Sequence, residues 1–230
     1  MVLAGEFLER STLIPRPRPG ADSLTLEGLY HRGEQAPGVV ICAPHPRMGG
    51  SMDSPVVAEL AWALSRAGHA TLRFNYQGVG ASHGTIQATS DGLSPNPATI
   101  DAVEEEIEDA RAAVSQLRAS VSHQRVAIAG YSFGAAVALG IARGEPLISH
   151  LILVAPPTRL FDFAALQEVT QPTLVVAGHK DAWVDRLQIS ELVANRTDAA
   201  WEVIAVADHT FSRGLTELGD LVVGWLDPKP

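Results

Sequence analysis

The sequence predicts an α/β fold, a mainly parallel sheet with helices packed on both faces. Three observations predict it. Short apolar runs rich in β-branched residues alternate with longer segments of helical spacing from Val39 onward. The 230 residues suit one domain of this class, expected to span 1–230. Finally, the stretch RVAIAGYSFGAAVALGIA, 125–142, passes from a strand pattern straight into a small-residue helix pattern through a serine boxed between glycines.

Taken in order, two early strands are expected at Glu6–Ile14 and Leu24–His31, with the turn RPRPGAD between them suiting an antiparallel hairpin. Val39–Ala43 is wholly apolar and reads as a buried strand. Pro55–Ala67 reads as a helix with Val56, Leu60, Ala63 and Leu64 on one face, stopped by Gly68. A strand at Thr71–Asn75 leads into the loop Gln77–Pro97, and ordered loops of that length are uncommon and often functional. A helix from about Ala98 to Ala119 opens with DAVEEEIEDA. Acidic side chains there oppose the positive end of the helix dipole, so Glu104, Glu105 and Glu106 are expected to form a solvated, helix-stabilising face rather than a metal site. The remaining strands are Val126–Ala129, Leu151–Val154, Thr173–Ala177 and Glu202–Val206, and the remaining helices Phe133–Arg143, Asp185–Asn195 and Ser212–Leu226. No internal repeat is visible.

Composition excludes several function classes. A net charge of −9 with 17 scattered basic residues argues against a nucleic-acid partner, which needs clustered Lys and Arg. The single cysteine, Cys42, excludes an internal disulfide and a multi-thiolate zinc site, and its apolar run GVVICAP reads as buried packing. MVLAGEFLER lacks the apolar core of a signal peptide, and no apolar run approaches the roughly 20 residues of a membrane span. A soluble, cytoplasmic protein with no membrane partner is expected. The glycines of GVGASHG are spaced one residue too far for a dinucleotide fingerprint, and no phosphate-loop or metalloprotease motif occurs. The expectation is therefore no cofactor and no metal.

The chemistry is concentrated at GYSFG. A turn this tight demands minimal neighbours and lifts the Ser132 hydroxyl above the sheet edge, the arrangement of an exposed nucleophile. The alternative is that Ser132 only caps the following helix. A serine hydroxyl needs a base and an orienting carboxylate. Of the eight histidines, His209 in VADHTF follows the last strand, where its loop reaches the C-terminal sheet edge. His179 and Asp181 share the loop after the preceding strand, and Asp181 is the better-placed acid, with Asp208 and Asp185 as competitors. The order Ser132, Asp181, His209 is the order this elbow architecture uses. For the oxyanion, the turn supplies the Phe133 N–H. The second donor is expected from CAPHPRMGGSM, where Pro46 has no N–H, which leaves Arg47 with Met48 behind it, while His45 is expected to hold the loop. Met48, Tyr131, Phe133, Phe161, Trp183 and Phe211 are expected to surround Ser132 and contact an apolar substrate group.

APHPRMGGSMDSPVV, LRFNYQGVGASHG, GYSFG, AGHKDAWV and DHTF together resemble the α/β-hydrolase superfamily, specifically its small bacterial members similar to dienelactone hydrolases and short esterases. The resemblance runs from about Asp22 to the C-terminus. It implies an eight-stranded sheet with Ser132 as nucleophile, Asp181 as acid and His209 as base. Dienelactone hydrolases proper carry cysteine where this chain has Ser132. Many superfamily members insert a helical lid after the sixth strand, and APPTRLFDFAALQEVTQP is too short for one. An open pocket follows, with Thr85–Pro97 as a longer loop flanking it. The expected function is hydrolysis of a small-molecule carboxylic ester, thioester or lactone through an acyl-enzyme, with a homodimer left open. Acyl transfer, cyclisation, proton transfer by His209 alone and non-catalytic binding are the alternatives.

Overall fold

A computed structural model describes residues 9–86, 98–194 and 196–227. Eight strands form one sheet: β1 Arg10–Arg16, β2 Leu24–His31, β3 Gln35–Cys42, β4 His69–Phe74, β5 Val126–Tyr131, β6 Ile148–Val154, β7 Thr173–Gly178 and β8 Ala199–Ile204. Their spatial order is β1-β2-β4-β3-β5-β6-β7-β8. The β1/β2 and β2/β4 pairs are antiparallel and all later pairs parallel. The expected hairpin and mostly parallel sheet are both present.

Alternation along the strands makes two cores. Val39 and Ile41 of β3 face one layer with α1 (Pro55–Arg66) and α5 (Leu215–Leu226). Val40 and Cys42 face the other, with α2 (Glu104–Ser120), α3 (Phe133–Gly144) and α4 (Arg186–Ala194). Covering both faces is why the central strands read as unbroken apolar runs. Their C-terminal ends share one edge of the sheet, the place where open parallel sheets build their sites. The connection from β6 to β7 carries only a short 3-10 turn, Ala164–Gln167, so no helical lid is inserted there. Among the described residues no helix is long and apolar enough to cross a membrane.

Several boundaries and one face differ from expectation. The first strand ends at Arg16 rather than Ile14, and positions 6–8 of the expected strand lie outside the described residues. Ala98 instead pairs with Phe161, and Ile100–Val103 form a 3-10 turn, so α2 starts only at Glu104. Glu106 is buried rather than solvated, and so is Asp109. The reason is the helical period: 106, 109, 110, 113 and 117 fall on the face turned to the sheet. Arg16 of β1 meets this face, ion-paired to Glu105 at 2.6 Å and Asp109 at 3.1 Å. Asp109 accepts the Gln77 N–H at 2.8 Å, tying down the start of the long loop, and burial pushes its carboxyl up to about 7. Of the expected loop Gln77–Pro97, residues 87–97 lie outside the described residues, as does 195 at the end of α4. β8 ends at Ile204 and α5 begins at Leu215, leaving a longer connection than the sequence pattern suggested.

Candidate active site

The turn between β5 and α3 is as tight as its glycines imply. A Cβ added at Gly130 would lie 1.9 Å from the Gly134 carbonyl oxygen, and one at Gly134 would lie 2.3 Å from that of Cys42. Ser132 between them is held at φ 55° and ψ −119°, a region that costs a non-glycine residue roughly 1–3 kcal/mol. Its N–H donates to the Val154 carbonyl at 2.9 Å, and its carbonyl accepts from Ala135 at 2.8 Å. The hydroxyl makes no capping bond to α3. Instead Ser132 Oγ lies 2.9 Å from His209 Nε2.

The other ring nitrogen, Nδ1, is 2.8 Å from Asp181 Oδ2. An ionised carboxylate only accepts, so Nδ1 carries the proton and Nε2 is left to accept from the serine hydroxyl. The Asp181 side chain is fully buried, and its second oxygen accepts the Trp183 N–H at 2.9 Å. Both oxygens are thus held and the carboxylate has no freedom to turn from the imidazole. The three residues come from three connections, after β5, β7 and β8, brought to one sheet edge.

The competing acids have other work. Asp185 Oδ1 accepts from the N–H groups of Leu187 and Gln188 and caps α4. Asp208 folds the loop of its neighbour His209: it accepts from the Thr210 and Ser212 N–H groups and from both their hydroxyls. His179 is turned away to Arg186, 2.7 Å from Nη1. The Ser212 hydroxyl, then the Ser212 amide, pull the Asp208 carboxyl down to about 2, against an ordinary 3.8. A lowered folded-state value means stabilisation that is complete above about pH 4 and lost as pH falls toward 2. The gap in thermal midpoint between the native protein and Asp208→Ala is therefore expected to be widest above pH 4 and to close toward pH 2. A constant gap across that window in differential scanning fluorimetry contradicts this role.

Phe133 opens α3, so its N–H has no carbonyl within the helix and, with the positive end of the helix dipole, suits an oxyanion. Arg47 does not join it, which corrects the sequence-based expectation. The Arg47 N–H donates to His45 Nδ1 at 3.2 Å, and the Met48 and Gly50 N–H groups both donate to the His45 carbonyl at 3.0 Å. His45 caps the 3-10 turn that Pro46 starts: its ring takes the Arg47 amide that the turn's own bonds leave free, and its carbonyl takes the Met48 amide. His45 does hold the loop, with its ring 4.7 Å from that of Phe133.

An open groove of about 340 Å³ contains Ser132 and His209 and is lined by Pro44, His45, Met48, Tyr131 and Thr210 among others. Of the expected contacts, Met48 and Tyr131 line it, the first more than half exposed and the second buried. Trp183 is not in its lining but stands exposed with its ring 6.1 Å from that of His209. Phe133, Phe161 and Phe211 are each at most 2% exposed and pack into the cores, a second correction. Near a sheet edge a phenyl ring gains more from the core than from a wet groove. Thr210, Pro44 and Ser54 line the groove without a sequence signal that marks them. A larger hollow, about 460 Å³ beside Trp62 and Arg73, is lined by His31 and Ser65, but the Ser65 hydroxyl donates to the Trp62 carbonyl at 2.9 Å and Arg73 is already paired with Glu9. Among the described residues no group of side chains is arranged to hold a metal ion.

Comparison with known proteins agrees with this architecture. A family model described as serine aminopeptidase, S33, matches residues 36–163. An α/β serine hydrolase homologue from Coxiella burnetii is 32% identical, with a TM-score of 0.77 over 95% of this chain and 97% of that one. XC6422 from Xanthomonas campestris, described as an α/β serine hydrolase without a lid, is 26% identical with a TM-score of 0.73, covering 96% and 97%. A protein of Rickettsia prowazekii is 27% identical over 212 residues, 87% of this chain and 84% of its own length.

Proposed function

Because the chain belongs to the α/β-hydrolase superfamily and is a hydrolase of its serine type, we propose that it cleaves small carboxylic esters through an acyl-enzyme on Ser132. The observation that carries this reading is the continuous relay from Ser132 Oγ through His209 to the buried Asp181 carboxylate. Ser132 Oγ attacks the ester carbonyl as His209 Nε2 takes its proton, and Asp181 stabilises the imidazolium that forms. The Phe133 amide at the start of α3 receives the developing oxyanion. Collapse expels the alcohol, which takes the proton from His209. Water then attacks the acyl group with His209 again as base, and the acid leaves.

The family description makes peptides the second reading. Esters are preferred because, among the described residues, none that lines the groove is acidic, so none of them pairs with a peptide's α-ammonium group. Among the described residues no lysine or arginine lines the groove to select phosphates or polyanions. Its openness and the exposed Met48 suit a short apolar acyl group. In a screen of p-nitrophenyl esters, thioesters, lactones and aminoacyl p-nitroanilides, with Ser132→Ala as blank, the short esters are expected to turn over fastest. Faster cleavage of the anilides makes the protein a peptidase, and preference for long acyl chains removes the open-groove argument.

A further inference from the structure

Ser132 and His209 must meet across a distance the sheet does not itself fix. β5, which ends at the nucleophile, and β8, which precedes the base, are separated by β6 and β7. The loop bearing His209 is anchored to the Asp181 side of the site: the Lys180 N–H donates to the Ala207 carbonyl at 3.0 Å, and Gly178 leaves room for that carbonyl, 2.4 Å from where its Cβ would be. The Asp208 fan then shapes the loop downstream. These contacts set the His209–Asp181 distance and say nothing of Ser132.

Among the described residues two hydrogen bonds join the elbow to this loop. One is the reacting pair. The other runs from the Tyr131 hydroxyl to the His209 backbone carbonyl, 3.0 Å. Resting on the reading of His209 as base, we propose that Tyr131 is a positioning residue whose O–H, donated to the His209 carbonyl, sets the spacing between base and nucleophile. Tyr131 is 5% exposed, with its ring 5.8 Å from that of His209, so the phenol is packed in place. Burial, with the Asp181 and Asp208 carboxylates nearby, pushes the hydroxyl up to about 12, so it remains a donor throughout the working pH range.

The bond has most effect at one step. Once Oγ carries the acyl group it has no proton to give to Nε2, and the link through the reacting pair is gone. The Tyr131 bond then holds the imidazole over the ester while water attacks. Its loss therefore impairs deacylation more than acylation, since misplacement by about 1 Å can cost on the order of a hundredfold.

The test is Tyr131→Phe, which removes only the hydroxyl, in stopped-flow assays with p-nitrophenyl acetate beside the native protein and His209→Ala. Expected is a rapid burst of p-nitrophenol followed by steady turnover slowed about ten- to a hundredfold, with KM for the acylation step unchanged. The ratio of burst amplitude to steady velocity does not depend on the fraction folded, because both scale with active enzyme, so it decides even if the variant melts early. An unchanged ratio overturns the proposal, and so does a raised KM with native turnover, which makes Tyr131 a substrate contact. If His209→Ala keeps native activity, the reading of His209 as base fails instead, and the two failures are told apart.

Discussion

Turnover of a short p-nitrophenyl ester is expected to fall on the order of 10⁴-fold or more in Ser132→Ala, His209→Ala or Asp181→Ala, with the fold retained. Ser132→Ala is the cleanest of the three. It keeps the Cβ, and with it the strain of the φ 55° turn, so the loss reports chemistry rather than a relaxed backbone. On the proposed mechanism the three residues act as one relay, so the double variant Ser132→Ala/His209→Ala is expected to be no worse than either single one. Fluorophosphonate should add once to the native protein and not at all to Ser132→Ala, as read by intact mass. Activity within tenfold of native in Ser132→Ala, or an adduct on it, would remove the nucleophile from the account.

The second large effect is steric. In Gly134→Ala the new methyl meets the Cys42 and Ala43 carbonyl oxygens at 2.3 and 2.6 Å, and in Gly130→Ala it meets the Gly134 carbonyl at 1.9 Å. All three are backbone atoms of the central sheet and the helix start, which cannot swing aside as a side chain would. Overpacking of this kind is expected to cost about 3 kcal/mol or more. Gly144→Ala is the control, because its Cβ meets nothing within 4 Å and its helical position favours alanine. Urea unfolding should show a large drop for the two elbow variants and none for the control. Near-native midpoints for Gly134→Ala would mean that β3 and α3 are less closely apposed than described.

These two expectations draw on what was legible along the chain. GYSFG is a local statement: five residues fix a turn whose sterics exclude side chains at 130 and 134 and whose serine must stand clear of the helix. The alternation of apolar strand and helix segments likewise specified the doubly covered sheet. The order of Ser132, Asp181 and His209 was expected because it is the order the elbow architecture uses, and all three converge at one sheet edge. Less was legible where a residue's role depends on what another element offers it. Arg47 looked available as a donor until the 3-10 turn placed His45 Nδ1 beside its amide. Asp208 looked like a rival acid, and it proves to be the knot of the His209 loop. Glu106 looked solvated because the dipole argument concerns the helix end and not which face meets β1.

The sequence alone determined the layered α/β architecture and the elbow, and singled out Ser132, Asp181 and His209, which the fold brings into hydrogen-bond contact, because periodicity and the sterics of a tight turn act between residues a few positions apart. Tertiary structure alone decided which amides remain for an oxyanion, which aromatic rings leave the groove for the core, and that Tyr131 reaches across 78 positions to the His209 carbonyl. Those outcomes depend on distances between segments far apart in the chain, which only packing of the sheet and its connections sets.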